Sequence, residues 1–316
     1  MTFPIYVILA GLVLFWLTNL WTRSLARDAQ MRVPQPGQIQ KVRGGALHYV
    51  DLGPREAQTL VLIHGISGQL QHFTYALTGL LAQDYRVIAV DRPGCGYSVL
   101  DAGDGAPLGE QGRMIGDLLD SLGVENAVLV GHSLGGAVAL SMALDRPEKT
   151  AALALLCPLT QEQPDTPDMF KGLEIRSSFL RHLIANTIAG PIGKRTADKV
   201  LAEAFSPETC PPDFMDKAGA VLGLRPSAFV TATSDFCAIK DQMPQQVARY
   251  GTGLKVPGGI LYGADDNLLA PDLHGQSMTA HGLNFENLPG RGHMIPITAP
   301  EDCAAFIRRM AGKAVA

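Results

Sequence analysis

The chain has 316 residues, of which 47% are hydrophobic and 18% charged, and its formal net charge at pH 7 is −4. This composition excludes a disordered chain, and the slightly acidic balance gives no reason to expect nucleic acid as a partner. The length suits one large α/β domain with an insertion, or two small domains. The five cysteines show no ligand spacing, which predicts reduced, mostly buried thiols and neither a zinc site nor a disulfide framework.

An almost wholly apolar segment opens the chain. Residues 3–20 carry no charged side chain, and Trp16 and Trp21 lie toward one end. About 18 to 20 such residues at helical rise match the ~30 Å hydrocarbon core of a bilayer, and Trp favours its boundary. We therefore expect residues 1–22 to form a single-pass anchor that contacts membrane lipid through residues 3–21. Basic side chains follow at Arg23, Arg27, Arg32, Lys41 and Arg43. By the positive-inside rule, they place the globular part on the cytoplasmic side.

Other interpretations of this segment are weaker. A cleaved signal peptide is disfavoured because no Lys or Arg precedes the apolar run and no clear A-x-A site follows it. A buried core helix of a soluble protein fits poorly because no face of the segment is polar. The sequence does not distinguish a spanning helix from one that lies in the membrane interface.

A linker and a hairpin come next. Pro34, Pro36 and Gly37 favour a linker, which we assign to residues 23–38. The globular domain should begin near Ile39 with two strands that pair as a hairpin. These strands are predicted over residues 39–42 and 46–50.

Strands and helices then alternate. Continuous apolar runs, typical of strands buried on both faces, occur at residues 59–63, 86–90, 127–130 and 151–156. Helical patterns lie between them, around residues 73–82, 108–122 and 134–140. The alternation predicts an α/β fold with a mostly parallel sheet and helices on both faces.

A long helical stretch interrupts this alternation. Residues 158–253 contain successive helical segments without a strand, which predicts an inserted helical cap. The core would then consist of residues 39–157 and 254–316. Its second part should contain strands at 259–262 and 284–288, a helix at 272–281 between them, and a closing helix to about Met310.

The most informative stretch is Gly131-His132-Ser133-Leu134-Gly135, which joins a predicted strand to a predicted helix. A serine at the apex of G-x-S-x-G takes a strained conformation, and its small neighbours let the strand and helix pass closely. The hydroxyl then lies at a helix N-terminus, where free N–H groups favour developing negative charge. Ser133 is therefore the candidate nucleophile, although a simple close-packed turn would have the same glycines.

Attack by a serine on a carbonyl also needs a base and a carboxylate that orients the base. His293 and the adjacent acids Asp265 and Asp266 follow later strands, so the order along the chain is Ser, Asp, His. Active residues collect at the carboxyl ends of strands in an open parallel sheet. We therefore expect these loops to meet there, together with His64-Gly65-Ile66.

The spaced motifs jointly resemble the α/β-hydrolase family from about Ile39 to the C-terminus. The resemblance is carried by His64-Gly65, by Asp91-Arg92-Pro93-Gly94-Cys95-Gly96-Tyr97-Ser98, by the Ser133 elbow, by Gly263-Ala264-Asp265-Asp266 and by Gly292-His293.

The resemblance implies roles for individual residues. Ser133 would be the nucleophile, His293 the general base and acid, and Asp266 the carboxylate, with Asp265 as the alternative. The oxyanion hole would be formed by the backbone N–H groups of Ile66 and Leu134. No cofactor or metal is implied. Outside this set, we expect His132 to serve packing, Asp91 to organise its turn and Asp235 to be a surface acid.

The resemblance also implies a function. Related dehalogenases and epoxide hydrolases use aspartate at the elbow, so Ser133 argues against both. Hydrolysis of a small-molecule ester through an acyl-enzyme is the simplest expectation, and an anchor beside an apolar cap suggests lipophilic esters. The same triad would also serve a thioesterase, a lactonase, a carbon–carbon hydrolase or a cofactor-free haloperoxidase. A non-catalytic, membrane-tethered binding protein is a further alternative, and the oligomeric state stays open.

Overall fold

A computed structural model describes residues 2–314, so Met1 of the predicted anchor and residues 315–316 of the predicted core lie outside it. Within the described range, nine strands form one sheet. They are β1 (Gln38–Val42), β2 (Gly45–Leu52), β3 (Thr59–Ile63), β4 (Arg86–Val90), β5 (Val99–Leu100), β6 (Ala127–His132), β7 (Thr150–Leu156), β8 (Gly258–Gly263) and β9 (Asn284–Leu288).

Twelve α-helices belong to the same described range. They are α1 (Thr2–Arg32), α2 (Gln71–Thr74), α3 (Leu77–Leu81), α4 (Leu108–Ser121), α5 (Leu134–Asp145), α6 (Ser178–Ile184), α7 (Gly190–Phe205), α8 (Phe214–Lys217), α9 (Pro226–Gly253), α10 (Pro271–His274), α11 (Ile295–Thr298) and α12 (Pro300–Gly312). A π-helical turn, Ala185–Ala189, links α6 to α7. Short 3-10 segments occur at Pro147–Lys149, Asp168–Leu173, Ala220–Leu224 and Gln276–His281.

The strand order is β1-β2-β4-β3-β6-β7-β8-β9, and β5 pairs with β2. Strand β2 runs antiparallel to β1, β4 and β5. All other pairs, from β4 to β9, are parallel. On the helical layers, α4 packs against α5 and α3 packs against α12. The predicted α/β fold with a mostly parallel sheet is confirmed.

The central strands are buried on both faces, as their unbroken apolar runs require. Residues 60–63, 87–90 and 127–130 are all fully excluded from solvent. Each square ångström of apolar surface buried contributes roughly 25 cal/mol, so burial of these strands stabilises the fold. Their carboxyl ends are therefore rigid positions from which loops can present functional side chains.

Two predicted helices are irregular. The helix expected over residues 73–82 is split into α2 and α3, because Ala76 has a non-helical φ of −145°. The helix expected over residues 272–281 begins as α10 and continues, after Gly275, as a 3-10 segment. The two-residue strand β5 has no counterpart in the sequence prediction, since so short a run carries no measurable periodicity.

The N-terminal helix is longer than predicted. The linker expected over residues 23–38 is helical up to Arg32, and residues 33–37 alone connect it to β1. The reason is a stripe formed by Leu25, Ala29 and Val33, which recur every four residues. Ala29 and Val33 pack against Val221 and Leu222 of the inserted segment. The following Pro34 disfavours a further helical turn.

Candidate active site

The elbow between β6 and α5 has the geometry that its glycines allow. Ser133 has φ 55° and ψ −124°, a conformation that a residue with a side chain rarely adopts. A Cβ atom on Gly131 would lie 2.5 Å from the carbonyl oxygen of Gly135, and one on Gly135 would lie 1.9 Å from the carbonyl oxygen of Ile63. Glycine is therefore required at both positions, as the motif predicts.

A buried histidine and carboxylate face each other beside this elbow. Nδ1 of His293, which follows β9, lies 2.6 Å from Oδ2 of Asp266, which follows β8. The other carboxylate oxygen of Asp266 accepts the backbone N–H groups of Leu268 and Leu269 at 2.9 and 3.0 Å. Because a carboxylate only accepts, the ring hydrogen of His293 lies on Nδ1 and leaves Nε2 free to accept a proton.

The adjacent acid has a different partner. Asp265 is exposed, and its Oδ2 accepts the N–H of Gly290 at 2.9 Å. Its carboxylate therefore stabilises the turn after β9, while that of Asp266 contacts the histidine. The geometry favours Asp266 over Asp265 as the orienting carboxylate.

Ser133 and His293 line the same cavity of about 200 Å³, together with Ile66 and Leu134. Within residues 2–314, the Ser133 hydroxyl has no hydrogen-bond partner, which leaves it available to a ligand. Catalytic hydrogen bonds are often loose before substrate binds. Most of the remaining lining residues are apolar, and most come from the inserted segment. The apolar residues from that segment include Leu159, Phe170, Phe236, Ile239 and Met243.

Two backbone N–H groups are available at the serine. Leu134 is the first residue of α5, so its N–H has no acceptor inside the helix. The loop after β3 lies close by, because a Cβ on Gly65 would be 2.8 Å from Cβ of Ser133. Five predicted site residues therefore meet at one place: Ile66, Ser133, Leu134 and His293 line the cavity, and Asp266 lies behind His293.

The peptide between Gly65 and Ile66 is held in one orientation. The carbonyl oxygen of Gly65 lies 2.8 Å from Nδ1 of His64 and accepts Nη2 of Arg92 at 3.0 Å. In a trans peptide the N–H points away from the C=O. The N–H of Ile66 is thereby turned away from the buried Arg92, consistent with a donor that faces the cavity.

The contribution of Arg92 was not predicted from the sequence, and the prediction that Asp235 is a surface acid is wrong. Arg92 is fully buried and also donates to the carbonyl oxygen of His64 and to Gln111. Asp235, expected at the surface, is buried and pairs with Arg92 at 2.8 Å. An arginine two positions after a buried strand was the available signal. Its partner is 143 positions away, on α9, and no local pattern reveals such a pair.

His132 contacts the backbone of the loop that carries His293, besides packing. Its Nε2 lies 3.0 Å from the carbonyl oxygen of His293, and the two ring centroids are 5.0 Å apart. Burial lowers the pKa of His132 well below its usual value, and the neighbouring His293 lowers it further. His132 therefore stays neutral and donates to the backbone of His293.

One group of side chains has the composition of a metal site. Cys157, which follows β7, brings its sulfur within 4.8 Å of ligand atoms of Asp266 and His293. Burial raises the pKa of the Cys157 thiol well above its usual value, as does the nearby Asp266. Nδ1 of His293 and Oδ2 of Asp266 already contact each other at 2.6 Å, so these two atoms are not free to bind a metal ion.

A second histidine–carboxylate pair lies outside the cavity. Nδ1 of His48 is 2.6 Å from Oδ2 of Asp91, and Nε2 contacts the carbonyl oxygen of Pro36. Asp91 also accepts the N–H groups of Leu70 and Tyr97, so it organises its turn as predicted. Burial lowers the pKa of His48, but the hydrogen bond and charge of Asp91 and the Pro36 carbonyl outweigh burial and raise it.

The sequence matches a known protein family over most of its length and individual curated proteins over a smaller part. A family model described as the alpha/beta hydrolase family matches residues 60–306. The chain is 39% identical over 133 residues to the dihydrolipoyllysine-residue acetyltransferase component of the acetoin cleaving system of Pseudomonas putida, covering 42% of this chain and 34% of that protein. It is 37% identical over 124 residues to the 2-hydroxy-6-oxononadienedioate/2-hydroxy-6-oxononatrienedioate hydrolase of Paraburkholderia phymatum, covering 37% and 43%. The matched parts span less than half the length of these curated relatives.

Solved structures match over a larger share of the chain. A membrane phospholipase A described as a bacterial virulence factor has a TM-score of 0.67 and 18% identity, covering 99% of this chain and 97% of that one. At that identity the likeness concerns the fold alone.

Proposed function

The chain belongs to the alpha/beta hydrolase family, and we propose that it is a serine hydrolase that cleaves carboxylic esters through an acyl-enzyme. The observation that carries the proposal is the meeting of the Ser133 elbow and the His293–Asp266 pair at one cavity. Nucleophile, base and orienting carboxylate are the three groups that acyl transfer from serine requires.

In the proposed mechanism, Oγ of Ser133 attacks the ester carbonyl carbon while Nε2 of His293 takes the hydroxyl proton. The negative charge on the carbonyl oxygen is held by the N–H groups of Leu134 and Ile66, each worth roughly 3 kcal/mol in the transition state. His293 then gives its proton to the departing alcohol. A water molecule, activated by the same histidine, releases the acid from Ser133. Asp266 stabilises the imidazolium formed in both steps.

The cavity lining supports lipophilic esters as the substrate class. The walls from the inserted segment are mostly apolar, and Lys240 is the single lysine or arginine among the lining residues that the structure describes. Lys240 already pairs with Glu174 at 2.7 Å. An apolar acyl chain gains from burial against such walls.

Carbon–carbon hydrolysis is the second candidate, because the relative from Paraburkholderia phymatum is named as a hydrolase of 2-hydroxy-6-oxononadienedioate. A dienedioate has two carboxylates, and burying them calls for paired cations. The cavity offers one lysine, already paired, and a carboxylate from Glu162. The lining therefore favours neutral esters over a dianionic substrate.

Attachment to a membrane through α1 is part of the proposal. The helix is long and apolar enough to cross a bilayer, with a mean hydropathy of 1.8, and only 6% of the apolar window is buried against the rest of the protein. Buried core helices and signal sequences can meet the same criterion of length and composition. The exposure of this helix and the basic residues Arg23 and Arg27 support an anchor with the globular part in the cytoplasm.

Hydrolysis of p-nitrophenyl esters from acetyl to palmitoyl tests the proposed activity, using the full chain in detergent with Ser133→Ala in parallel. We expect turnover of the wild-type chain to rise beyond the acetyl ester and to vanish in the variant. Equal, near-background rates in both would exclude ester hydrolysis. A 2-hydroxy-6-oxo-dienoate turned over faster than every ester would favour the second candidate. Flotation of the full chain with lipid vesicles tests the anchor separately.

A further inference from the structure

Five large apolar side chains lie exposed on one stretch of the cap, from α6 through the π-helical turn to the start of α7. We call Phe179, Leu180, Leu183, Ile188 and Ile192 the apolar cap face. Phe179 is 79% exposed and Ile192 is 51% exposed, although large apolar side chains of a soluble domain are normally buried. A cluster of this kind marks a surface that meets a partner.

This face adjoins the N-terminal helix. Nδ2 of Asn19 donates to the carbonyl oxygen of Asn186 at 2.8 Å, and Oγ1 of Thr22 donates to that of Thr187 at 2.6 Å. Gly190 also approaches α1, since a Cβ placed there would contact Thr22 and Leu25. The π-helical turn is therefore fixed against α1 at residues 19–25.

The position of these contacts along α1 determines whether the apolar cap face would lie near a membrane surface. The apolar run of α1 ends at Leu20, and Trp21 is exposed there, as expected at the boundary between lipid and water. Asn186 and Thr187 thus lie level with this boundary, and the apolar cap face flanks them on both sides along the chain. Exposed Lys194 and Arg195 follow Ile192, where cations can meet anionic headgroups.

We propose, building on the membrane attachment proposed above, that the apolar cap face docks into the interfacial layer of the same bilayer that holds α1. The occupant is lipid, because the segment that carries the face contacts α1, whose apolar side chains are exposed, and is followed by basic side chains. Interfacial elements bind in this way, by burying an apolar face at the boundary between headgroups and acyl chains.

Docking would bring the cavity close to its substrate. The segment that carries the face packs against α9, and α9 supplies Phe236, Ile239 and Met243 to the cavity wall. A lipophilic ester could then pass from the bilayer to Ser133 along apolar surface rather than through water. Lipid-borne esters should depend on the face, whereas water-soluble esters should not.

Spin labels test the docking without relying on activity. Phe179→Cys and Ile192→Cys would be labelled in the full chain carrying Cys210→Ser, because the four other cysteines are buried. Val99→Cys is the matched control, since Val99 is an exposed apolar residue of the sheet, on β5, and does not belong to the apolar cap face. Collisions with oxygen and with a water-soluble nickel chelate are measured in vesicles of phosphatidylcholine and phosphatidylglycerol. We expect oxygen to dominate at positions 179 and 192 and the nickel chelate to dominate at position 99.

The flotation and spin-label results distinguish docking of the face, anchoring by α1 alone, absence of membrane binding and contact between two copies of the chain. Vesicle-bound protein whose labels at 179 and 192 meet the nickel chelate as freely as the label at 99 would overturn the docking and leave the anchor intact. Protein that does not float with vesicles would overturn both. Strong coupling between labels of two chains, with little access to either probe, would mean that a second copy covers the face instead of lipid.

A functional comparison adds a second readout. Phe179→Asp combined with Ile192→Asp should lower hydrolysis of a long-chain ester in vesicles by about tenfold or more while hydrolysis of p-nitrophenyl butyrate in solution stays unchanged. Val99→Asp should change neither rate. If the wild-type chain and the Phe179→Asp, Ile192→Asp double variant hydrolysed the vesicle-borne ester at equal rates, the proposal would be contradicted.

Discussion

Arg92, which follows β4, and Asp235 on α9 form an ion pair whose side chains are 0% and 1% exposed, with Nη1 and Oδ2 2.8 Å apart. Arg92 also donates to the carbonyl oxygens of His64 and Gly65. The pair therefore links α9 to the loop that carries Ile66. The position of α9 and the orientation of the Ile66 N–H therefore depend on the same guanidinium.

Removal of the Asp235 carboxylate should lower the free energy of unfolding. Asp235→Ala leaves a buried cation without its counter-charge, and such changes cost about 3–5 kcal/mol of folding free energy. We expect a lower midpoint of urea unfolding and a lower kcat. Asp241→Ala is the matched control, because Asp241 lies on the same helix and its pair with Arg176 is exposed. Equal shifts of the midpoint in the two variants would contradict the proposed role of the buried pair.

The two adjacent acids can be told apart by kinetics. Asp266→Asn keeps the shape of the side chain but removes the charge that orients His293, so kcat should fall by roughly 10³ to 10⁴. Asp265→Asn changes an exposed group that contacts Gly290, and kcat should stay within about twofold of wild type. A collapse of activity in the Asp265 variant with a nearly normal Asp266 variant would reverse the assignment.

The elbow should tolerate no added methyl group. In Gly135→Ala the new Cβ would sit 1.9 Å from the carbonyl oxygen of Ile63, in a strand that is fully buried. We expect little folded protein from this variant, measured as monodisperse yield. Gly79→Ala is the control on α3, where a Cβ meets nothing within 4 Å and should stabilise the helix by about 0.5–1 kcal/mol. Normal folding of the Gly135 variant would mean that the strand and helix can separate.

His48 should make stability depend on pH in a defined direction. Its pKa is raised in the folded chain, chiefly because the interaction with Asp91 outweighs the opposing effect of burial. The folded state therefore holds the proton more tightly, so this stabilisation is complete below the unfolded pKa, near 6.5, and is lost as pH rises through the folded pKa.

Urea unfolding of wild type and His48→Gln measures this effect. The difference in unfolding free energy between the two should be larger at about pH 5.5 than at about pH 9. A difference that is constant, or larger in alkali, would show that His48 is neutral in the folded chain.

The sheet and the five predicted site residues follow from local patterns. Buried parallel strands are continuous apolar runs, and the loops that follow them must meet at one edge of the sheet. Ser133, Asp266 and His293 could therefore be placed together from the sequence. The strain at Ser133 followed from its flanking glycines in the same way.

Contacts between distant segments could not be predicted. Asp235 is an isolated acid in a helical pattern, and its burial depends on Arg92, which belongs to another part of the chain. The stripe of Leu25, Ala29 and Val33 was hidden because prolines directly after it suggested a linker. Its partners Val221 and Leu222 lie in the 3-10 segment Ala220–Leu224, nearly two hundred positions further along the chain.

Covalent labelling tests most directly whether Ser133 is the nucleophile. A fluorophosphonate reacts with an activated serine by losing fluoride, and the phosphonyl group remains on the oxygen. Intact-mass spectrometry of the full chain in detergent should show one adduct, and peptide mapping should locate it on Ser133. Ser133→Ala should take up no label, and Asp266→Asn should react much more slowly. An adduct on another residue, or equal labelling of Ser133→Ala, would contradict the proposed mechanism.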